Sequence, residues 1–285
     1  MALAVVMAGM AGGEAGRAQV RPAHADVVYA EVDGQALTLD LYLPEGIRNP
    51  PLLVWVHGGA WNFGSKDGVP LAFVQNGIAT ASLDFRQASQ ARFPAQVHDV
   101  KAAIRFLRAH AGAYGYRADR IAIAGDSSGG HLATLTGTTN GHAALEGTVG
   151  DHPGESSAVQ AIIDYYGASN LTTILDQSTP FGLGVREPAL LRLLGGLPDA
   201  VPDLARLASP VFHVDAGDPP LLRFHGDQDP QMPINQAHEL EGAYRTQGLD
   251  VAFHVLHGSV HGGPEFYAGE PLALALEFLR RTIGN

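Results

Sequence analysis

The sequence predicts one α/β domain in which a mostly parallel central sheet carries helices on both faces. Short apolar segments alternate with helical segments along the chain, and this order is typical of parallel strands joined by crossover helices. Residues 52–56 are entirely apolar, as expected of a strand that is buried on both faces. Residues 94–111 repeat apolar side chains at helical spacing, with Val97, Val100 and Ile104 on one face.

The other elements follow in chain order. Residues 26–43 predict a hairpin, because two apolar segments flank the turn Asp33-Gly34. Further strands are predicted at residues 77–85, 120–124, 159–165, 220–224 and 251–256, and a closing helix at residues 271–283. Residues 169–218 interrupt the alternation with several Pro and Gly breaks. Long insertions in compact α/β domains are usually lids or binding loops, so we predict a small helical cap here.

Composition limits the classes of function. The chain has 285 residues, of which 46% are hydrophobic and 16% charged, which suits one large globular domain. The formal net charge of -11 argues against nucleic acid or an anionic membrane surface as a partner. Cysteine is absent, which excludes disulfides, thiolate metal sites and a cysteine nucleophile. After the N-terminal residues, no segment is long and apolar enough to predict a membrane span.

The N-terminal residues 1–25 are predicted to lie outside the folded domain, which we place at residues 26–285. Residues 1–10 are small and apolar and residues 11–18 are rich in Ala and Gly, as in a secretory signal cleaved after Ala18. The basic segment that usually opens such a signal is missing, so a disordered tail is the alternative. We expect export to the periplasm or the extracellular space, with a cytoplasmic location as the alternative.

The sequence Gly-Asp-Ser-Ser-Gly-Gly at residues 125–130 is the strongest local motif. It follows the predicted strand 120–124 and precedes a helical pattern, which is the context of a nucleophile elbow. Gly125 and Gly129 allow a turn so tight that side chains there would collide with the strand and the helix. Ser127 lies at the apex of this turn, so we predict that it is a nucleophile.

A serine hydroxyl is a poor nucleophile unless a base accepts its proton and an acid orients that base. Asp227 and Asp229 both follow the strand at residues 220–224, and the residues alone leave the choice between them open. His261 follows the last strand, and its flanking glycines let the backbone bring the imidazole over Ser127. His257 is the weaker alternative base. The order serine, acid, histidine is the order found in α/β-hydrolases.

A second glycine-rich loop, His57-Gly58-Gly59-Ala60-Trp61, follows the third predicted strand. Acyl transfer passes through a tetrahedral oxyanion, which needs preorganised N–H donors. We assign these donors to the backbone N–H groups of Gly59, Ala60 and Ser128. Trp61 and Phe63 are expected to line the pocket for the acyl group.

The remaining histidines receive structural interpretations. His57 is expected to brace its own loop, and the side chain of His131 is expected to point away from the elbow. His254, His257 and His261 straddle a strand and a glycine turn, so they do not share one face as a metal cluster would. Phosphate-loop, zinc-protease and dinucleotide motifs are also missing. We therefore predict no metal and no cofactor.

With these residues in place, the chain resembles the α/β-hydrolase carboxylesterases related to hormone-sensitive lipase. It is most similar to the branch that contains bacterial acetylxylan and feruloyl esterases (BD-FAE-like). The similarity covers nearly all of the chain after about residue 26. Besides the two glycine-rich motifs, it rests on these short segments: residues 40–44, 84–86, 93–95, 99–103, 209–210, 219–220, 225–226 and 261–262.

The resemblance implies an α/β-hydrolase fold with Ser127 as nucleophile, Asp229 as acid and His261 as base. It also implies a serine carboxylic-ester hydrolase that works through an acyl-enzyme and whose partner is a small or polymeric ester. Acetyl or feruloyl esters of plant polysaccharide are the expected substrates. The alternatives are an amide hydrolase, such as an arylformamidase or peptidase, on the same three residues, and a non-catalytic binding module.

Overall fold

The computed structural model describes residues 20–284 and contains a central eight-stranded sheet. In chain order its strands are β1 His24–Val32, β2 Gln35–Tyr42, β3 Pro51–Val56, β4 Ala79–Leu83, β5 Arg117–Asp126, β6 Ala161–Tyr165, β7 Leu221–Gly226 and β8 Val251–Leu256. Across the sheet they lie in the order β1-β2-β4-β3-β5-β6-β7-β8. Strand β2 is antiparallel to β1 and β4, and the other neighbours are parallel. The predicted fold class is confirmed.

Nine α-helices accompany the sheet in the described part of the chain. They are α1 Ala72–Gln75, α2 Ala95–Tyr114, α3 Ser128–Gly137, α4 Ala143–Glu146, α5 Ile174–Gln177, α6 Pro180–Leu194, α7 Pro202–Leu207, α8 Asn235–Thr246 and α9 Gly269–Thr282. Short 3₁₀ turns occur at Lys66–Gly68, Pro198–Ala200, Pro210–Phe212 and Pro264–Tyr267. Within residues 20–284, no helix combines the length and the hydropathy needed to cross a bilayer.

Two hydrophobic cores lie on opposite faces of the sheet, because side chains alternate along each strand. In β3, Leu52 and Val54 pack into the core that includes α2 and α3, whereas Leu53 and Trp55 pack into the core beneath α9. This two-sided burial explains why the middle strands are almost purely apolar. Parallel strands place their carboxyl ends at one edge, where the loops after β3, β5, β7 and β8 meet.

The described residues agree with the predicted order of elements and shift several boundaries. Strand β5 extends to Asp126, directly before Ser127, and β1 begins at His24, two residues before the expected domain start. The longest helix within residues 169–218 is α6, which contains Pro188 in its interior. The amphipathic α8 was not predicted. The signal-like residues 1–19 lie outside the described residues.

Residues 169–218 form a mostly helical segment between β6 and β7, as expected from their Pro and Gly breaks. Prolines open its elements: Pro180 begins α6 and Pro202 begins α7, where the missing N–H costs no helical hydrogen bond. The hydroxyl of Thr179 caps α6 by accepting a hydrogen bond from the Gly182 N–H at 3.1 Å. We call residues 169–218 the cap segment.

Candidate active site

The serine of the elbow lies between β5 and α3 in a strained backbone conformation. Ser127 has φ 51° and ψ −118°, a region that residues other than glycine rarely adopt. A Cβ on Gly125 would collide with the carbonyl of Gly129, and a Cβ on Gly129 would collide with the carbonyl of Val56. The Ser127 N–H donates to the Tyr165 carbonyl at 2.8 Å. These contacts fix the elbow against β3 and β6.

The structure brings Ser127, His261 and Asp229 together in one hydrogen-bonded chain. The Ser127 hydroxyl lies 2.9 Å from Nε2 of His261, and Nδ1 of His261 lies 2.6 Å from Oδ2 of Asp229. Because an ionised carboxylate only accepts, His261 carries its proton on Nδ1 and its Nε2 accepts from the serine hydroxyl. This is the geometry of a nucleophile, a base and an orienting acid.

Asp229 is held ionised although its side chain is only 1% exposed. Oδ1 accepts hydrogen bonds from the N–H groups of Gln231 and Met232, each at 2.8 Å, and Oδ2 accepts from His261. Burial alone would raise the pKa of Asp229, but these hydrogen bonds, that from His261 first, hold it below its ordinary value. A buried carboxylate therefore faces the imidazole of His261.

Asp227 and His257, the rival acid and base, pair with each other on the surface. Nδ1 of His257 lies 2.7 Å from Oδ2 of Asp227, and the Gly258 N–H donates to Oδ1 of the same carboxylate. The His257 side chain is 83% exposed and that of Asp227 29% exposed. Neither residue forms a hydrogen bond with Ser127 in the described structure, so the geometry favours Asp229 and His261 over this second pair.

The loop after β3 packs directly on the elbow. The Gly58 N–H donates to Oδ1 of Asp126 at 2.8 Å, and a Cβ on Gly58 would collide with that residue. Gly59 has φ 119° and Ala60 has φ 53°, so the loop turns sharply beside Ser127. Within residues 20–284, the backbone N–H groups of Gly59, Ala60 and Ser128 have no hydrogen-bond acceptor. The structure thus leaves these three donors unpaired at the loop and the elbow, and their role towards an oxyanion stays a prediction.

Trp61 does not occupy the pocket position expected for it. Its indole is fully buried and donates through Nε1 to Nδ1 of His131 at 3.0 Å. A positive φ of 57° at Trp61 directs the ring into the core behind α3, so no surface remains for a substrate. Phe63, two residues later, is 61% exposed, so its ring, unlike that of Trp61, is accessible to a ligand.

His131 and His57 take the structural places predicted for them. Nε2 of His131 donates to the Ala208 carbonyl at 2.7 Å, and burial lowers its pKa to about 4, so the ring stays neutral. His57 donates through Nδ1 to the Gly58 carbonyl at 2.7 Å and stacks on Phe85. His131 thus joins the loop after β3 to the cap segment, and His57 braces its own loop.

Two residues near the site were missed by the sequence reasoning. Tyr166 follows β6 with φ 44°, and its ring packs edge-on against His261 with centroids 4.9 Å apart. His225, at the end of β7, donates through Nε2 to the Met232 carbonyl at 3.0 Å and lies 3.5 Å from Oδ2 of Asp229. His225 belongs to the segment 225–226 on which the family resemblance rests, whereas nothing in the sequence around Tyr166 marks it as part of the site.

Metal ligation finds no support in the described residues. Among residues 20–284, no group of three or more His, Cys, Asp or Glu side chains has the geometry to hold a metal ion. His254 stacks on the ring of Phe224. The groups that the structure brings together at Ser127 are its own hydroxyl, the imidazole of His261 and the carboxylate of Asp229.

A strained serine between a parallel strand and a helix, hydrogen-bonded to a histidine and an aspartate from later loops, defines the class as an α/β-hydrolase. Residues 39–244 match the family BD-FAE, and the chain belongs to this family. In Mycobacterium tuberculosis, a relative named "Probable carboxylic ester hydrolase LipM" is 32% identical over 74% of this chain and 49% of its own length. The chain thus spans about half the length of the curated relatives it matches.

Solved structures share the fold. A "Truncated form of carbohydrate esterase from gut microbiota" superposes with a TM-score of 0.82 at 30% identity, over 93% of this chain and 98% of that one. A "Bifunctional GH43-CE" from Bacteroides eggerthii superposes with a TM-score of 0.81 at 35% identity, over 90% of this chain and 35% of that one.

Proposed function

We propose that this protein is a serine carboxylic-ester hydrolase. The observation that carries the proposal is the pair of hydrogen bonds that join Ser127 to His261 at 2.9 Å and His261 to Asp229 at 2.6 Å. The names of the relatives, which include carboxylic ester hydrolases and esterases, support the same reaction. None of these names describes an amide hydrolase, so the ester reaction is preferred to the amide alternative.

In the proposed mechanism, Oγ of Ser127 attacks the ester carbonyl while Nε2 of His261 takes its proton. The tetrahedral intermediate collapses when the imidazolium passes that proton to the departing alcohol oxygen, which leaves an acyl group on the serine. Water then attacks the acyl-enzyme with His261 as the base, and the acid product leaves. Asp229 holds the imidazole in the productive tautomer and stabilises its positive charge.

The N–H groups of Gly59, Ala60 and Ser128 are the proposed donors to the oxyanion. Each is backbone, so it is held by the elbow and by the loop after β3 before the substrate arrives. Loss of one such donor typically costs about 2.7–4 kcal/mol of transition-state stabilisation. The bond between the Gly58 N–H and Asp126 fixes the loop in this position.

The proposed substrates are acetyl or feruloyl esters of carbohydrate. Two similar structures are named as carbohydrate esterases or as proteins with a CE part, and the family name BD-FAE agrees with this class. Exposed Phe63 is a candidate surface for an aromatic acyl group such as feruloyl. Turnover of acetylated xylan, methyl ferulate and a formanilide, measured side by side, separates these substrates from the amide alternative.

The test of the reaction is Ser127→Ala with para-nitrophenyl acetate as substrate. We expect turnover to fall to the background rate, and a fluorophosphonate probe to label the wild type on the peptide that contains Ser127 and not the variant. Ser156→Ala, which removes an exposed serine hydroxyl, is the matched control and keeps wild-type turnover. Turnover or labelling that survives in Ser127→Ala would contradict the proposal.

A further inference from the structure

Arg186 differs from the other buried cations of the described structure. It is 1% exposed and forms no ion pair with a carboxylate in the described residues, and its Nε and Nη1, like those of Arg223, are buried without a hydrogen-bond partner. In residues 20–284, each of the other buried Lys and Arg side chains lies within 3.0 Å of a carboxylate. These pairs are Lys66 with Asp40, Lys101 with Glu146, Arg105 with Glu146, and Arg223 with Asp164.

An unpartnered buried guanidinium is unfavourable for folding alone. A buried charge normally has a counter-charge and hydrogen bonds, because it loses its hydration on burial. Burial lowers the pKa of Arg186 to about 10, with the charge of Asp229 opposing that shift, so the group is still a cation at neutral pH. A feature that costs stability and has no structural partner points to a role in binding.

Arg186 lies on the side of the candidate active site that carries Asp229. It lies on α6 of the cap segment, one helical turn after Gly182 and on the same face. A Cβ on Gly182 would lie 3.1 Å from the Pro230 carbonyl, and Thr179 donates to the same carbonyl at 3.0 Å. This face of α6 therefore packs on the loop that carries Asp229, which is also the carboxylate whose charge acts on Arg186.

Asp229 does not serve as the partner of Arg186. Its two oxygens already accept hydrogen bonds from His261 and from the N–H groups of Gln231 and Met232. The guanidinium and the Asp229 carboxylate form no ion pair, although they lie close enough to interact electrostatically. The Nε and Nη1 donors of Arg186 are thus left without a partner beside the loop of Asp229.

We propose that Arg186 binds a carboxylate of the substrate, so that the enzyme prefers esters that carry a negative charge beside the scissile bond. This inference rests on the proposed ester hydrolysis and adds the charge class of its substrate. A planar guanidinium fork matches a carboxylate with two parallel hydrogen bonds, which a lysine ammonium cannot reproduce. The carboxylate belongs either to the acyl group or to the alcohol, as in an acylated uronic acid.

The experiment compares two matched pairs of esters. The acyl-side pair is mono-para-nitrophenyl adipate against para-nitrophenyl hexanoate, and the alcohol-side pair is meta-acetoxybenzoate against meta-acetoxybenzamide. In the wild type we expect a higher kcat/KM for the charged member of one pair. The pair that shows this preference tells whether the carboxylate belongs to the acyl group or to the alcohol. Arg186→Met is expected to lower that kcat/KM by about 10- to 100-fold, the range of a charged hydrogen bond, and to change the neutral ester by less than about threefold.

Arg192→Gln is the matched control, because it removes the same charge from an exposed position on the same helix. It should leave the preference for the charged ester unchanged. Arg186→Lys should recover only part of it, since the charge remains and the fork is lost. Equal loss on charged and neutral esters in Arg186→Met, or no preference in the wild type, would overturn the inference.

Thermal stability separates binding from a structural role. Removal of an unpaired buried charge should leave the Tm of Arg186→Met unchanged or higher, whereas removal of a structural arginine lowers it. Adipate or meta-hydroxybenzoate should raise the Tm of the wild type and not that of Arg186→Met. This readout needs no turnover. If no ester is hydrolysed but the carboxylates raise the Tm of the wild type, the proposed function fails and the carboxylate site stands. If esters are hydrolysed but the carboxylates do not raise the Tm, only the carboxylate site fails.

Discussion

Two Asp–His pairs lie side by side at the carboxyl edge of the sheet, and they share their chemistry but not their surroundings. Asp229 and His261 are 1% and 11% exposed, whereas Asp227 and His257 are 29% and 83% exposed. The N···O distances are nearly equal, 2.6 Å in the buried pair and 2.7 Å in the exposed pair. Only the buried pair continues to a serine hydroxyl.

The difference teaches that burial, rather than the hydrogen bond itself, distinguishes the pair that can do catalysis. Solvent screens the charges of an exposed pair and competes for its hydrogen bonds, so such a pair holds its geometry weakly. Around Asp229, two backbone N–H groups and His261 fix the carboxylate where water has little access. In the proposed mechanism, a fixed charge of this kind stabilises the imidazolium that forms on His261.

The largest effect on kcat is expected when each of the two histidines is replaced separately. His261→Gln removes the group that accepts the proton of Ser127, and kcat for para-nitrophenyl acetate should fall by about 10⁵-fold or more. His257→Gln removes a surface imidazole and should leave kcat within about twofold of wild type. Both variants should unfold at temperatures near that of the wild type. A comparable loss in His257→Gln would show that the exposed pair takes part in the reaction.

A smaller but still large effect separates the two aspartates. Asp229→Asn keeps the shape of the side chain but presents an amide N–H to His261, which favours the wrong tautomer and should lower kcat by about 10⁴-fold. Asp227→Asn is the isosteric control on the exposed pair and should keep nearly all of the activity. Steady-state kinetics on an uncharged ester measures both. If Asp227→Asn were the inactive variant, the assignment of the acid would be reversed.

The residues alone predict the fold, the nucleophile and His261 as the base, but they leave the choice between Asp227 and Asp229 to the family resemblance. Two patterns can be recognised in the sequence without knowledge of side-chain packing: the alternation of apolar and helical segments, and the motif around Ser127. The two pairs, by contrast, have sequence separations of 30 and 32 residues and identical residue types. Which aspartate turns inward is decided by the N–H groups of Gln231 and Met232, and nothing local in the sequence marks these.

The incorrect position of Trp61 has a similar cause. An aromatic residue beside a glycine loop suggests a pocket wall, but two consecutive positive φ angles at Ala60 and Trp61 turn the indole inward. Its partner, His131, is 70 residues away in the chain, so the contact is a property of the folded state. Arg186 escaped notice for the same reason, because its burial depends on how α6 packs on the loop of Asp229.

The smallest effect concerns the free energy of unfolding at acid pH, which depends on a histidine packed beside the buried pair. His225 lies beneath Asp229, and burial, followed by the charge of Arg223, lowers its pKa to about 3. The unfolded chain binds a proton at this histidine below about pH 6.5 while the folded protein does not, so stability falls as the pH drops from 6.5 towards 3. Between pH 7 and pH 5 this group alone should cost about 2 kcal/mol of unfolding free energy.

Urea unfolding of His225→Gln at the two pH values tests this difference. The loss of unfolding free energy between pH 7 and pH 5 should be smaller than in the wild type by about 2 kcal/mol, whatever the absolute stability of the variant. An unchanged difference in His225→Gln would mean that the buried histidine is protonated in the folded protein, and that the surroundings of Asp229 are less dry than those of a core residue.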